Sequence, residues 1–149
     1  MTTTKRQGPG WTPRLRLEGK VAVVFGAGQS PGEGLGNGRA AALRFAREGA
    51  RVIAANRSIE SVEETAAMIR AEGGEAIAVK ADVTREADLS AAISQAKERW
   101  GSLDVLHNNV GVSLAGGDAD LMDVTEEAFD LLYRTNLRGL AFACKHALK

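Results

Sequence analysis

Three features predict an α/β chain whose parallel sheet carries helices on both faces, in three αβα layers. Short β-branched apolar runs alternate with helical patterns of about ten to fifteen residues, the arrangement of βαβ units. The first run, Val21–Phe25, passes through six glycines between Gly26 and Gly38 and leaves as an Ala-rich helix. The chain shows neither internal repeats nor a composition break that would mark a second domain. Right-handed crossovers then favour a doubly wound, partial sheet in the order 3-2-1-4, with its switch point between strands one and four.

Residues 1–17 read as a flexible arm with Trp11 as a local anchor, and residues 18–149 as the domain. Glu18-Gly19-Lys20 turns the chain into strand one, Val21–Phe25. The helix after the glycines sets Ala42, Phe45 and Ala46 at helical spacing and stops at Gly49, and Arg51–Asn56 is strand two. Ser58 or Ser61 caps the next helix, Ser61 in a capping box with Glu64. Val62, Ala66 and Ile69 form its inner face, Gly73-Gly74 ends it, and Ala76–Lys80 alternates as strand three. Thr84 caps a helix with Leu89, Ala92, Ile93, Ala96 and Trp100 inside and Gly101 as its stop. Leu103–Leu106 is strand four, followed by Asn108-Asn109-Val110-Gly111, a Gly/Asp loop, and a long helix from near Thr125.

The totals exclude several classes. A net charge of zero leaves no electrostatic footprint for nucleic acid or a membrane surface. A single cysteine, Cys144, excludes an internal disulfide framework and suits a reducing compartment. No apolar run approaches the ~20 residues of a spanning helix, and the first residues lack the apolar core of a secretory signal. The expectation is a cytoplasmic protein with no metal site.

The glycine stretch carries the chemistry. A buried strand that turns through glycines into a helix N-terminus offers backbone N–H groups and the helix dipole to a phosphate. Gly36-Asn37-Gly38-Arg39-Ala40-Ala41 fits the dinucleotide form G-x-G-x-x-G/A, although alone it also fits a plain helix-capping loop. Twenty residues past Gly36, where an NAD site places a carboxylate on the ribose 2′-hydroxyl, stands Asn56, followed by Arg57. A missing carboxylate and a neighbouring guanidinium favour a 2′-phosphate, hence NADP over NAD; the alternative is a polar turn before a helix cap. Asp82 ends strand three and can also serve the next helix as a cap. Asn108 and Asn109 follow strand four, where their amides can cross-link strand ends or meet a flat ring. His107 reads as structural, and His146 as a surface residue near a helix end. Asn136 interrupts an apolar stripe of Phe129, Leu132, Leu140 and Ala143, so it either has specific partners or faces the crevice.

With these residues in order, the chain resembles the short-chain dehydrogenase/reductase family. The landmarks are Leu17-Glu18-Gly19-Lys20, the glycine loop closing at Gly36-Asn37-Gly38-Arg39-Ala40, Ala81-Asp82-Val83-Thr84, Asn108-Asn109-Val110-Gly111 and Thr135-Asn136-Leu137-Arg138-Gly139. The resemblance covers residues 17–149 and implies a Rossmann-type NAD(P)-binding domain. It implies that Gly26, Gly36 and Gly38 cradle phosphates, with Asn37 among the cofactor-binding residues, and that Asp82 and Val83 contact adenine. Asn108, Asn109, Val110 and Gly111 would line the adenosine and ribose side. Asn136 would belong to the family's Asn-Ser-Tyr-Lys set and hold a water in its proton relay. The implied reaction is reversible hydride transfer between a nicotinamide and a small-molecule alcohol or carbonyl, in a homo-oligomer.

The chain departs from the family pattern at three places. Phe25 stands where the family has Thr, whose hydroxyl ties the glycine loop to the Asn-Asn segment. The span Gly26–Gly38 is longer than the family's by the insertion Gln29–Gly34. The sequence stops at Lys149, before the family's Ser and Tyr-x-x-x-Lys, and Tyr133 cannot stand in because Leu137 follows it at the Lys spacing. The expectation is therefore a fragment, inactive alone, whose strand four and last helix expose surfaces that favour self-association. A non-catalytic NAD(P)-binding module and an inert remnant stay open as alternatives.

Overall fold

A computed structural model describes residues 15–29, 32, 34–113 and 120–149. Residues 1–14 with Trp11, Ser30, Pro31 and Glu33 of the Gln29–Gly34 insertion, and the Gly/Asp loop at 114–119 lie outside the described residues.

Four parallel strands form one sheet in the order β3-β2-β1-β4, as predicted. Strands β1 (Val21–Phe25), β2 (Arg51–Asn56) and β3 (Ala76–Lys80) fall where the sequence sets them. Alternation across β1 splits the core in two. Val21, Val23 and Phe25 face α3 (Glu86–Trp100) and α5 (Gly139–Ala147), whereas Ala22 and Val24 face α1 (Asn37–Arg47) and α2 (Ile59–Ala71). Every side chain of β1 is buried, because a central parallel strand is covered on both faces. That two-sided burial is why β1 reads as an unbroken apolar run.

Strand β4 is Val105–Asn108, two residues beyond the expected Leu103–Leu106. Asp104 stands at the entry to the strand: its N–H donates to Val21 O at 2.9 Å, and its carboxylate accepts the Val21 N–H and the Lys20 ammonium, each at 2.9 Å. Pairing starts only at Ala22↔Val105 and carries the polar His107 and Asn108 into the ladder. His107 is structural there, meeting the Phe45 ring edge-on at 5.7 Å between centroids.

Local cap motifs gave way to tertiary contacts at two helices. Ser58, not Ser61, caps α2 by accepting the Ser61 N–H. The Ser61–Glu64 box does not form, because Ser61 Oγ is engaged by Gln29 and Glu64 pairs with Arg39 at 3.0 Å. Arg85 stands at the N-cap of α3 without a side-chain cap, and the Thr84 hydroxyl donates to Asp82 instead. Thr125 does cap α4 (Glu126–Leu132), and Gly101 stops α3 as expected.

The long last helix is not one regular helix. After α4 a π-helical turn spans Tyr133–Arg138 before α5 begins. An i→i+5 turn inserts one residue into the helical period, so the stripe drawn at 3.6-residue spacing breaks. Ala143 is buried, whereas Phe129 and Leu140 are exposed. His146 is not a plain surface residue: its Nε2 and Lys145 Nζ both bond Glu86 Oε1, at 2.9 and 2.8 Å, and pin α5 to α3.

Arg39 is the one charged side chain buried among the described residues, and its partners explain why. Its guanidinium donates to Thr65 Oγ1 at 2.9 Å, Ser61 O at 2.8 Å and Glu64. Thr65 passes the connection on by donating to Ala27 O at 2.8 Å. No buried side-chain N or O among the described residues lacks a partner.

At the N-terminal edge Leu17 N–H donates to Glu48 O, and Glu48 gathers Arg16 and Arg44. Hydrogen bonds from the Arg16 side chain and backbone hold the Glu48 carboxyl down at about 2, from an ordinary 4.5. A depressed carboxyl stabilises the fold above its unfolded value, and that contribution fades as pH falls from 4.5 toward 2. Glu48→Gln should lower the melting temperature at neutral pH and flatten its fall over that acid range. Equal acid slopes for both proteins in a melting series would count against the Arg16–Glu48 tie. Where α1 meets β1, a Cβ on Gly38 would lie 1.9 Å from Gly26 O, a backbone atom that cannot yield. Gly38→Ala should therefore cost at least about 2 kcal/mol in urea denaturation.

Candidate functional site

The carboxyl ends of all four strands open into one crevice of about 870 Å³. β1 delivers Gly26, whose φ of +82° turns the chain while its N–H and that of Ala27 both bond Ala55 O. The chain returns to the crevice at Gly36, the N-cap of α1, and at Asn37 and Gly38, its first residues, with no acidic side chain in that first turn. Asn37 and Gly38 precede the first intrahelical N–H, which is that of Ala40 donating to Gly36 O at 2.9 Å. Such N-terminal N–H groups are the donors a phosphate takes.

β2 ends at Asn56, whose amide packs against the α-carbon of Gly28: a Cβ there would meet Asn56 Nδ2 at 2.0 Å. Arg57 follows, exposed at the crevice wall. β3 leads to Ala81, Asp82 and Val83. Burial pushes the Asp82 carboxyl up, but two hydrogen bonds from Thr84 and the charges of Arg57 and Arg85 outweigh it, leaving a net lowering. Asp82 is thus an ionised strut, its Oδ1 accepting Thr84 N–H at 2.9 Å and Thr84 O–H at 2.7 Å. β4 delivers Asn109, Val110 and Gly111. Asn109 N–H extends the ladder to Phe25 O at 3.0 Å, and its amide reaches Gly26 O at 3.4 Å. An Asn109-to-loop contact therefore exists although Phe25 carries no hydroxyl, its ring being buried in the core instead.

Eleven of the sequence-predicted site residues line this crevice: Gly26, Gly36, Asn37, Gly38, Asn56, Arg57, Asp82, Val83, Asn109, Val110 and Gly111. Asn108 does not, since its side chain turns to α5, with Nδ2 3.8 Å from Cys144 Sγ. Asn136 is also outside the lining, on the π turn at the crevice rim. Its amide clasps the backbone of Val112, accepting its N–H and donating to its C=O, both at 2.8 Å. It is exposed and satisfied, not buried in an apolar stripe.

Sequence reasoning missed Gln29, Arg134 and Arg138, which also line the crevice. The two arginines flank Asn136 by two residues on either side, a symmetry visible in the sequence. Arg138 donates to Thr84 O at 2.9 Å and so joins the π turn to the Asp82 corner. Gln29 gave no signal, being one polar residue inside a glycine run. No cluster of His, Cys, Asp or Glu fit to hold a metal ion occurs among the described residues, and no described helix is long and apolar enough to cross a membrane.

Comparisons with known proteins identify the family and the fold. The short chain dehydrogenase family model matches residues 20–149. The chain is 38% identical over 144 residues to a trihydroxynaphthalene reductase of Colletotrichum orbiculare, covering 95% of this chain and 48% of that protein. It is 36% identical over 128 residues to a sorbitol dehydrogenase of Cereibacter sphaeroides, covering 86% and 45% respectively. Among solved structures, one described as a short-chain dehydrogenase/reductase from Burkholderia xenovorans superposes with a TM-score of 0.82 at 39% identity, over 89% of this chain and 51% of that one. A hydroxysteroid dehydrogenase from Escherichia coli gives 0.78 at 30% identity, over 90% and 53%. The chain spans about half the length of the relatives it matches. On sequence and fold together, it belongs to the short-chain dehydrogenase/reductase family.

Proposed function

We propose that the chain supplies the NADP-binding part of an oxidoreductase that moves a hydride between the nicotinamide and a small-molecule alcohol or carbonyl. The observation that carries this reading is the convergence of Gly36–Gly38 at the start of α1 with Arg57, Asp82 and Asn109 around one crevice. The residues fit the group. Gly38 lets α1 approach the β1 turn so closely that a methyl would overlap Gly26 O. The start of α1 carries no acid to repel a pyrophosphate.

Bound NADP supplies or accepts the hydride; the chain's own residues bind and orient it. Backbone N–H groups of Asn37 and Gly38 take the phosphates. Arg57 pairs with the 2′-phosphate at a position where an NAD site would carry a repelling carboxylate. Asp82 and Val83 form the adenine wall, Asp82 being held rigid by Thr84. Asn108 acts through packing on α5, and Val110 and Gly111 border the ribose. Asn136 uses one lone pair and one N–H on Val112, which leaves one of each to hold a relay water. The assembly that works on substrate is a cytoplasmic homo-oligomer, and the exposed Phe129, Leu137 and Leu140 on the last helix support that part of the reading.

Saturating NADP⁺, at about a hundred times its dissociation constant, should raise the melting temperature by about 5–10 °C. Arg57→Ala should weaken NADP⁺ binding tenfold or more, about 1.5–3 kcal/mol for a charge-assisted pair, and leave NAD⁺ binding unchanged. Calorimetric titration of both cofactors into both proteins checks this, and equal losses for the two would remove the 2′-phosphate role. A polypeptide of these 149 residues should bind without turning over, since its single tyrosine, Tyr133, has Leu137 where a Tyr-x-x-x-Lys pair needs lysine. Family-like NADPH oxidation by that polypeptide across a panel of ketones would refute the statement.

A further inference from the structure

Gln29 lies three residues beyond the Gly26 turn and is gripped from two directions. Its N–H donates to Ser61 Oγ at 2.7 Å, and its carbonyl accepts from the same hydroxyl at 3.1 Å. Its side-chain Oε1 accepts the Gly36 N–H at 2.7 Å. Ser61 is itself fixed, because its carbonyl accepts the buried Arg39 guanidinium from α1 at 2.8 Å. One hydroxyl on α2 thus holds the first limb of the glycine loop, and one amide oxygen on that limb holds the last.

The arrangement answers a physical difficulty. Gln29 and Gly36 are seven residues apart, and a loop of that length leaves its ends loosely related unless something closes it. Gly36 immediately precedes α1, so the position of its N–H sets where those of Asn37 and Gly38 point. A bond across the base fixes those donors whatever path the intervening residues take. Gly28 tightens the same limb, with no room for a Cβ beside Asn56 Nδ2 at 2.0 Å and Ser61 Oγ at 2.9 Å.

We propose that Gln29 is a positioning residue for the phosphate cradle: held by Ser61, it clasps Gly36 and aligns the first N–H groups of α1 on the dinucleotide's pyrophosphate. The inference rests on the dinucleotide-binding reading given above. A neutral amide suits the position, since it closes the loop without setting a negative charge beside the anion.

The test titrates NADP⁺ and adenosine 2′-monophosphate into the wild type, Gln29→Met, Ser61→Ala and the double variant by calorimetry. Methionine keeps the length of glutamine but offers no comparable acceptor. Gln29→Met removes the bond to Gly36 and Ser61→Ala the two bonds that hold Gln29, and each should weaken NADP⁺ about tenfold or more. The double variant should lose less than the product, because both act through one clasp. Adenosine 2′-monophosphate lacks the pyrophosphate, so its affinity should not change. Equal losses for the two ligands would make Gln29 merely structural, and unchanged NADP⁺ binding would overturn the clasp alone. A wild type that binds neither ligand would overturn the dinucleotide reading and the clasp with it. If the variants do not fold, hydrogen exchange at Gly36 in the unliganded wild type decides: slow exchange supports the clasp, and exchange at the open-chain rate overturns it.

Discussion

The structure depends on a backbone contact, the approach of α1 to the β1 turn, where Gly38 faces Gly26 O with no space for a methyl between them. The same point receives Asn109 Nδ2, which a Cβ on Gly38 would meet at 2.8 Å. Three segments far apart in sequence therefore share one spot: the end of β1, the start of α1 and the exit of β4. That spot brings the start of α1 to the strand ends, where Asn37 and Gly38 line the crevice, and a crevice at the switch point follows from the sheet order. Widening it by one methyl would move the helix and the N–H groups it carries.

Around that contact the polar groups form connected ties. Ala27 O receives Thr65, Thr65 receives Arg39, and Arg39 reaches Ser61 and Glu64, so α1 and α2 are bonded to the glycine loop as well as packed on the sheet. A buried guanidinium is costly without partners and specific with them. Arg39 has three acceptors from α2 and none from the crevice, which makes it an internal brace and leaves Arg57 as the cation exposed at the β2 end. On the far side, Asp82, Thr84 and Arg138 tie β3 to the π turn. The two walls of the crevice are each cross-linked before any ligand arrives.

What the sequence made legible follows burial. β1 and β2 lie where they were expected, because central parallel strands leave apolar runs bounded by turns, and the edge strand β3 was legible from its alternation between Gly73-Gly74 and Asp82. β4 slid by two residues because it is a half-buried edge, where a carboxylate on Lys20 and Val21 could decide the boundary. The cap motifs at Ser61 and Thr84 misled for a related reason: a local pattern cannot reveal that Gln29 and Asp82 compete for the same hydroxyls. The glycine motif and the polar strand ends lead to eleven residues of the crevice wall, since their spacing fixes which strand end each belongs to. Gln29, Arg134 and Arg138 were hidden because their roles depend on where loops and helix faces come to rest.

The π turn shows how a break in periodicity serves the site. Gly139 passes close to the segment after β3, where a Cβ would stand 2.7 Å from Val83 O, and Thr135 of the turn is buried. Asn136, three residues before Gly139, must at the same time bridge both polar atoms of Val112 beyond β4. A regular helix presents residues three apart on nearly one face, but these two targets lie on opposite sides of the crevice mouth, one after β3 and one after β4. Widening the turn separates the two faces and lets one helix hold both. The cost is the apolar stripe, which loses its register at the turn and leaves Phe129 and Leu140 in solvent while Ala143 stays in the core. The exposed Phe129 and Leu140 thus stand on either side of the turn that carries Asn136.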